Sequence, residues 1–76
     1  MSPVTCADNL ARLMEMLSAA AEYADRCGGT LDSECLIDVE GAQHRMANVR
    51  IVQAELGLKL DAVEIRINAR RRELAA

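Results

Sequence analysis

The sequence predicts an all-α fold, an antiparallel helical hairpin of the coiled-coil type whose core is completed by oligomerisation. Apolar residues recur at alternating intervals of four and three along two stretches, the spacing of helices that pack side by side. Hydrophobic residues make up 51% of the chain, yet Tyr23 is the only aromatic one. One proline and four glycines leave few points at which a helix would stop. The core must therefore come from aliphatic side chains at helix contacts.

The small size of the chain adds a requirement for association. The chain has 76 residues, and we predict a single helical domain over residues 1–76. At this length one hydrophobic core is barely stabilising. Small proteins make up the difference with disulfides, a metal ion or a partner chain.

The first helix is predicted over residues 3–27. Ser2 before Pro3 fits a helix start, and Thr5 followed by Asp8 resembles a capping box, in which each residue bonds the backbone N–H of the other. The apolar stripe of this helix comprises Cys6, Leu10, Leu13, Leu17, Ala20, Ala24 and Cys27.

The second helix is predicted over residues 32–75, after a turn at 28–31. Gly28 is placed to end the first helix in a left-handed conformation, and Asp32 is placed to cap the second. We expect this helix to be kinked or broken near Gly57, because glycine costs about 1 kcal/mol in a helix interior. Its apolar stripe, called the seam, comprises Cys35, Val39, Ala42, Met46, Val49, Gln53, Leu56, Leu60, Val63, Ile67, Arg70 and Leu74.

The two stripes suggest a hairpin over residues 3–53. A connection of about four residues makes consecutive helices antiparallel neighbours. Pairing residues whose numbers sum to 59 places Leu10 opposite Val49 and Leu17 opposite Ala42, so that large and small side chains interdigitate.

The last twenty residues have no counterpart in the first helix. Apolar residues here lie on two opposite sides of the helix, which is typical of a helix covered on both. We predict that this segment binds a partner, and the predicted contacts are Leu56, Leu58, Leu60, Val63, Ile65, Ile67 and Leu74.

A β-strand is the competing interpretation of residues 58–68. Two runs alternate with polar residues or glycine, as in a half-buried strand: Leu56, Leu58 and Leu60, and then Val63, Ile65 and Ile67. A helix is favoured because no turn signal separates the two alternating runs.

Charge is unevenly distributed along the chain. Residues 1–43 contain eight acidic and two basic side chains, and residues 44–76 contain four acidic and seven basic ones. Halves of opposite sign suit antiparallel packing within or between chains. Ordinary solvated helix faces are an equal alternative. A basic cluster, Arg66, Arg70, Arg71 and Arg72, is the candidate contact for a nucleic acid or an acidic partner. A nucleic acid is the less favoured partner, because the chain is acidic overall and no aromatic residue for base stacking lies nearby.

Residue types used in catalysis occur without the arrangements that catalysis needs. His44 is the only histidine, and no second histidine or cysteine stands at metal-binding spacing. The acid pairs Asp32/Glu34 and Asp38/Glu40 suit the first turns of a helix, where they complement its dipole. We therefore expect no catalytic, cofactor-binding or metal-binding residue. The three cysteines lack metal or redox spacing, and no leader or membrane segment is evident. We accordingly expect buried, reduced thiols in a cytoplasmic protein; a Cys27–Cys35 disulfide is the minor alternative.

These features predict a non-enzymatic module for protein–protein interaction, of the small chaperone or assembly-adaptor type. The partner is either a second copy, giving a dimer or four-helix bundle, or a different protein. In length and predicted hairpin architecture, the chain resembles the small bacterial co-chaperones of type III secretion needle subunits. The alternative is a small dimeric regulator that binds nucleic acid through its arginine cluster.

Overall fold

The computed structural model describes residues 3–76, which form two α-helices and a short 3-10 turn. Helix α1 spans Cys6–Thr30, the turn spans Leu31–Ser33, and helix α2 spans Leu36–Ala75. No strand occurs in the described residues, so the predicted all-α class is confirmed and the strand alternative for 58–68 is wrong. The chain divides into two compact units, Met1–Cys35 and Leu36–Ala76. The pairing of the two helices into a hairpin stays a prediction.

The start of α1 contains the predicted capping box. The backbone N–H of Asp8 donates to Oγ1 of Thr5, and the backbone N–H of Thr5 donates to Oδ2 of Asp8, both at 3.1 Å. The bond from the Thr5 N–H, followed by the Thr5 side chain, holds the pKa of the Asp8 carboxyl below its ordinary value. The helix thus begins after Thr5; Ser2, proposed as an earlier cap, lies outside the described residues.

The end of α1 differs from the prediction. Gly28 and Gly29 lie inside the helix, which continues to Thr30. No glycine in residues 3–76 has a positive φ angle, so the predicted left-handed conformation of Gly28 is wrong. Instead, the backbone N–H of Leu31 donates to the carbonyl oxygen of Gly28.

Hydroxyl groups supply the remaining bonds at this helix end. Oγ1 of Thr30 lies 3.2 Å from the carbonyl oxygen of Cys27 and 2.9 Å from Oε1 of Glu34. Oγ of Ser33 donates to the carbonyl oxygen of Thr30 at 3.0 Å. The last carbonyl groups of a helix need such partners. Because Thr30 and Ser33 provide them, the helix ends without a left-handed glycine.

Helix α2 is one uninterrupted helix. It begins at Leu36, so Asp32 lies in the 3-10 turn and its predicted capping role is wrong. It continues through Gly41 and Gly57, so the predicted break at Gly57 is also wrong, while a kink there stays a prediction. Helix propagation adds a hydrogen bond for each residue ordered, and this outweighs the cost of about 1 kcal/mol per glycine.

The two helices differ in how their apolar residues are arranged. Those of α1 lie mainly on one side, whereas those of α2 are distributed around the helix. No side chain in residues 3–76 is buried. The thiols of Cys6, Cys27 and Cys35 are exposed, and no disulfide joins Cys27 to Cys35 in this part of the chain. The predicted burial of the thiols is therefore wrong for the single chain.

Candidate partner-binding surface of the second helix

The seven predicted contact residues all lie on α2. Leu58, Ile65 and Leu74 are the most open, with 72%, 68% and 70% of their surface exposed. Ile67 is 41% exposed, and Leu56, Leu60 and Val63 are half-buried. Large apolar side chains outside this segment are equally open, Ile37 at 79% and Met14 at 66%, so the arrangement of the seven residues around the helix carries more information than their exposure.

Continuity of the helix places these residues on two faces. At about 100° per residue, Leu56, Leu60, Val63, Ile67 and Leu74 extend the seam along one side. Leu58 and Ile65 lie on the other side, almost diametrically opposed. This second side, called the opposite face, comprises Ile51, Ala54, Leu58, Ala62, Ile65 and Ala69. The wide distribution of apolar residues around α2 follows from this double pattern.

Polar side chains of α2 also bond to one another within the helix. Nζ of Lys59 lies 3.3 Å from Oε1 of Glu55, one helical turn away. Nη1 of Arg50 donates to Oε1 of Gln53 at 2.6 Å. Gln53 is the only uncharged polar residue of the seam, and this bond satisfies its side-chain oxygen. Exposed pairs of this kind contribute roughly 0–1 kcal/mol each. They steady the helix but leave both apolar faces uncovered.

The arginine cluster does not form a single patch. Arg66 and Arg70 are one turn apart and share a side of α2, whereas Arg71 and Arg72 point in two further directions at about 100° per residue. Nη1 of Arg70 also pairs with Oε2 of Glu73 at 2.9 Å. A phosphate backbone is bound best by basic side chains aligned along one face of a protein. The arrangement of these arginines therefore gives no particular support to nucleic-acid binding.

The histidine and the acid pairs lie on α2 and on the connection before it. His44 is exposed on α2, and no cluster of three potential metal ligands occurs in the described part of the chain. Asp32 and Glu34 belong to the connection, where Oε1 of Glu34 bonds Thr30, while Asp38 and Glu40 lie in the first turns of α2. An open hollow on α1, near Asp8 and Arg12, is formed by one helix alone.

The sequence interpretation missed the polar members of the opposite face. Extending its four-three spacing from Ile51 adds Glu55 near one end and Arg72 near the other. Both are exposed, and no ion pair involves Arg72 within residues 3–76. The same heptad count that identified the seam would have found them, had it been applied to both sides of the helix.

Neither a membrane span in the described residues nor a related protein indicates what this surface binds. Within residues 3–76, neither helix combines the length and the apolar character needed to cross a membrane. Comparison with protein-family models, curated proteins and solved structures finds no match to this chain.

Proposed function

We propose that the protein is a non-enzymatic interaction module of the small chaperone or assembly-adaptor type. In this proposal α1 and α2 pair as an antiparallel hairpin, and the C-terminal part of α2 binds another protein chain. The main support is the arrangement of Leu58, Ile65 and Leu74, which lie on two faces of one unbroken helix and are each about 70% open to solvent.

The hairpin is supported by the pattern of α1. This helix carries its apolar side chains in one stripe, and a helix of this kind is stabilised by packing that stripe on a neighbour. The seam of α2 has the same four-three rhythm. A connection of five residues, 31–35, is typical of antiparallel neighbours in helical proteins.

The helix ends change the register of the proposed hairpin. A pairing sum of 59 is centred between Gly29 and Thr30, which both lie inside α1. A connection centred on Ser33 instead gives a sum of 66. This is a shift of one heptad, so every stripe residue of α1 still meets a seam residue of α2. The paired layers become Cys6–Leu60, Leu10–Leu56, Leu13–Gln53, Leu17–Val49, Ala20–Met46, Ala24–Ala42 and Cys27–Val39.

The new register narrows the surface left for a partner. Leu56 and Leu60 face α1 in this arrangement, and Val63 lies at its edge, opposite Pro3. Beyond that point α2 has no internal neighbour. The proposed docking surface is therefore made by Leu58, Val63, Ile65, Ile67 and Leu74.

The energy available from docking suits the size of the chain. Burying on the order of 400–600 Å² of apolar surface contributes roughly 10–15 kcal/mol before the costs of association. Domains of this size are stable by only a few kcal/mol. The free energy gained by association is thus large enough to decide whether the C-terminal part of α2 is ordered.

Hydrogen exchange combined with sedimentation tests this proposal. We expect the amides of residues 61–75 to exchange rapidly at low concentration and to become protected when the chain associates with itself or with a binding protein. Ile65→Asp with Ile67→Asp places one charge on each apolar face and should abolish association while retaining the helicity of α1. As a control, Asn68→Asp adds one charge between the faces and should have little effect.

Strong protection of residues 61–75 in a chain that sediments as a monomer would contradict the proposal. In that case the C-terminal part of α2 would be stable without a partner, and its apolar residues would need another explanation.

A further inference from the structure

The opposite face of α2 has a size pattern that is complementary to itself. Following the four-three spacing from Glu55 to Arg72, it presents Leu58 and Ile65 as large residues and Ala62 and Ala69 as small ones. At about 100° per residue, all of these positions fall within a sector of roughly 100°. Both large residues are exposed over about 70% of their surface.

We propose that this face binds the same face of a second copy, with the two α2 helices antiparallel. This inference rests on the proposed function and names the partner and the contact. When residue numbers in the two copies sum to 127, Leu58 meets Ala69 and Ile65 meets Ala62. Each large side chain then enters a gap left by an alanine, which allows the helices to approach closely.

Charge supports the same register. A sum of 127 places Glu55 opposite Arg72 of the second copy, and the two-fold symmetry repeats this pair at the other end. One carboxylate oxygen of Glu55 lies 3.3 Å from Nζ of Lys59, and its second oxygen can accept from an arginine. A parallel arrangement would instead place Glu55 beside Glu55 and Arg72 beside Arg72, which is repulsive. The antiparallel orientation is therefore favoured.

One flanking contact opposes the dimer. Lys59 comes near Arg66 of the second copy, and the bond between Lys59 and Glu55 reduces this repulsion. The contact from residue 55 to residue 72 is about 27 Å long, which is short for a stable interface of about 800 Å² per partner. We expect dissociation constants on the order of tens of micromolar.

The size pattern is tested by sedimentation equilibrium of the full chain across its concentration range. Ala69→Leu fills the gap that receives Leu58 and should weaken dimerisation about 10-fold or more. Asn68→Leu adds a similar side chain one position away, outside the face, and should change the dissociation constant less than about 3-fold. Circular dichroism of each variant would verify that α2 remains helical.

Charge reversal tests orientation and register together. Glu55→Arg and Arg72→Glu should each weaken the dimer about 10-fold at low salt, because each creates two like-charge contacts. The double variant restores opposite charges at both ends and should return to within about 3-fold of the natural chain. About 1 M salt should reduce these differences.

Two results would overturn the inference while leaving the proposed function intact. The first is a dimer that is insensitive to Ala69→Leu and gains nothing from the double charge reversal. The second is a monomer in which the amide hydrogens of residues 61–75 exchange rapidly. That segment would then bind a different protein and not a second copy. A monomer with residues 61–75 strongly protected would instead contradict both proposals.

Discussion

Helices α1 and α2 share the four-three spacing of apolar residues but differ in how many of their sides are apolar. Helix α1 has 25 residues and one apolar stripe, and it begins with a capping box. Helix α2 has 40 residues, and its apolar side chains are distributed around its circumference. A helix with one apolar face is completed by one neighbour, whereas a helix with two such faces needs two. The difference makes α2 the central element of the proposed assembly and α1 the cover of one of its sides.

The largest expected effect comes from placing a charge in the single stripe of α1. In the proposed hairpin Leu17 faces Val49, so Leu17→Asp would bury a carboxylate among apolar side chains. We expect it to lower the free energy of unfolding by more than about 2 kcal/mol. Urea denaturation followed by circular dichroism at a fixed protein concentration would measure the loss.

Ser18→Asp is the matched control for this change. Residue 18 lies about 100° from Leu17 around the helix, outside the stripe. Its substitution should cost less than about 0.5 kcal/mol. An equal loss in the free energy of unfolding at the two positions would show that α1 does not pack through its apolar stripe. The proposed difference between α1 and α2 would then be wrong.

A smaller effect is expected at the capping box of α1. Thr5→Ala removes the oxygen that accepts from the Asp8 N–H at 3.1 Å and should cost about 1 kcal/mol. Thr5→Ser retains the acceptor and should cost much less. The comparison is made by thermal unfolding, and an equal loss for both variants would mean that the methyl group of Thr5, not its hydroxyl, matters.

The same box predicts a dependence on pH. The pKa of Asp8 is lowered in the folded chain, chiefly by the bond from the Thr5 N–H. The ionised form is therefore favoured by folding, so its stabilising contribution is complete above the ordinary value of 3.8. That contribution is lost as the pH falls through the lower folded value. Asp8→Asn should remove this part of the acid transition, which helicity measured against pH would reveal.

The smallest expected effect concerns glycine inside α2. A Cβ atom at Gly57 would meet no other atom within 4 Å, and the position lies between the two apolar faces. Gly57→Ala should raise the free energy of unfolding by about 0.5–1 kcal/mol. Gly29→Ala should give less, because it lies in the last turn of α1, where helices fray. A loss of stability at Gly57 would indicate that another backbone approaches α2 at this point.

The sequence alone determined the helical class and the capping box of α1, although it placed the helix start three residues too early. Four-three spacing is a strong signal when it extends over several turns, and Thr5 with Asp8 forms a local motif that needs no distant contact. The sequence also places Leu58, Ile65 and Leu74 in the segment expected to bind a partner, and each is about 70% exposed; their contact with a partner stays a prediction.

The structure decided where the helices stop and whether they are interrupted. Glycine is a weak stop signal, because its cost of about 1 kcal/mol is easily outweighed by the hydrogen bonds of a growing helix. Helix α1 therefore passes through Gly28 and Gly29 and ends where the Thr30 and Ser33 hydroxyls meet its last carbonyl groups. Helix α2 passes through Gly57 for the same reason, and its continuity aligns the two apolar faces on which both proposals depend.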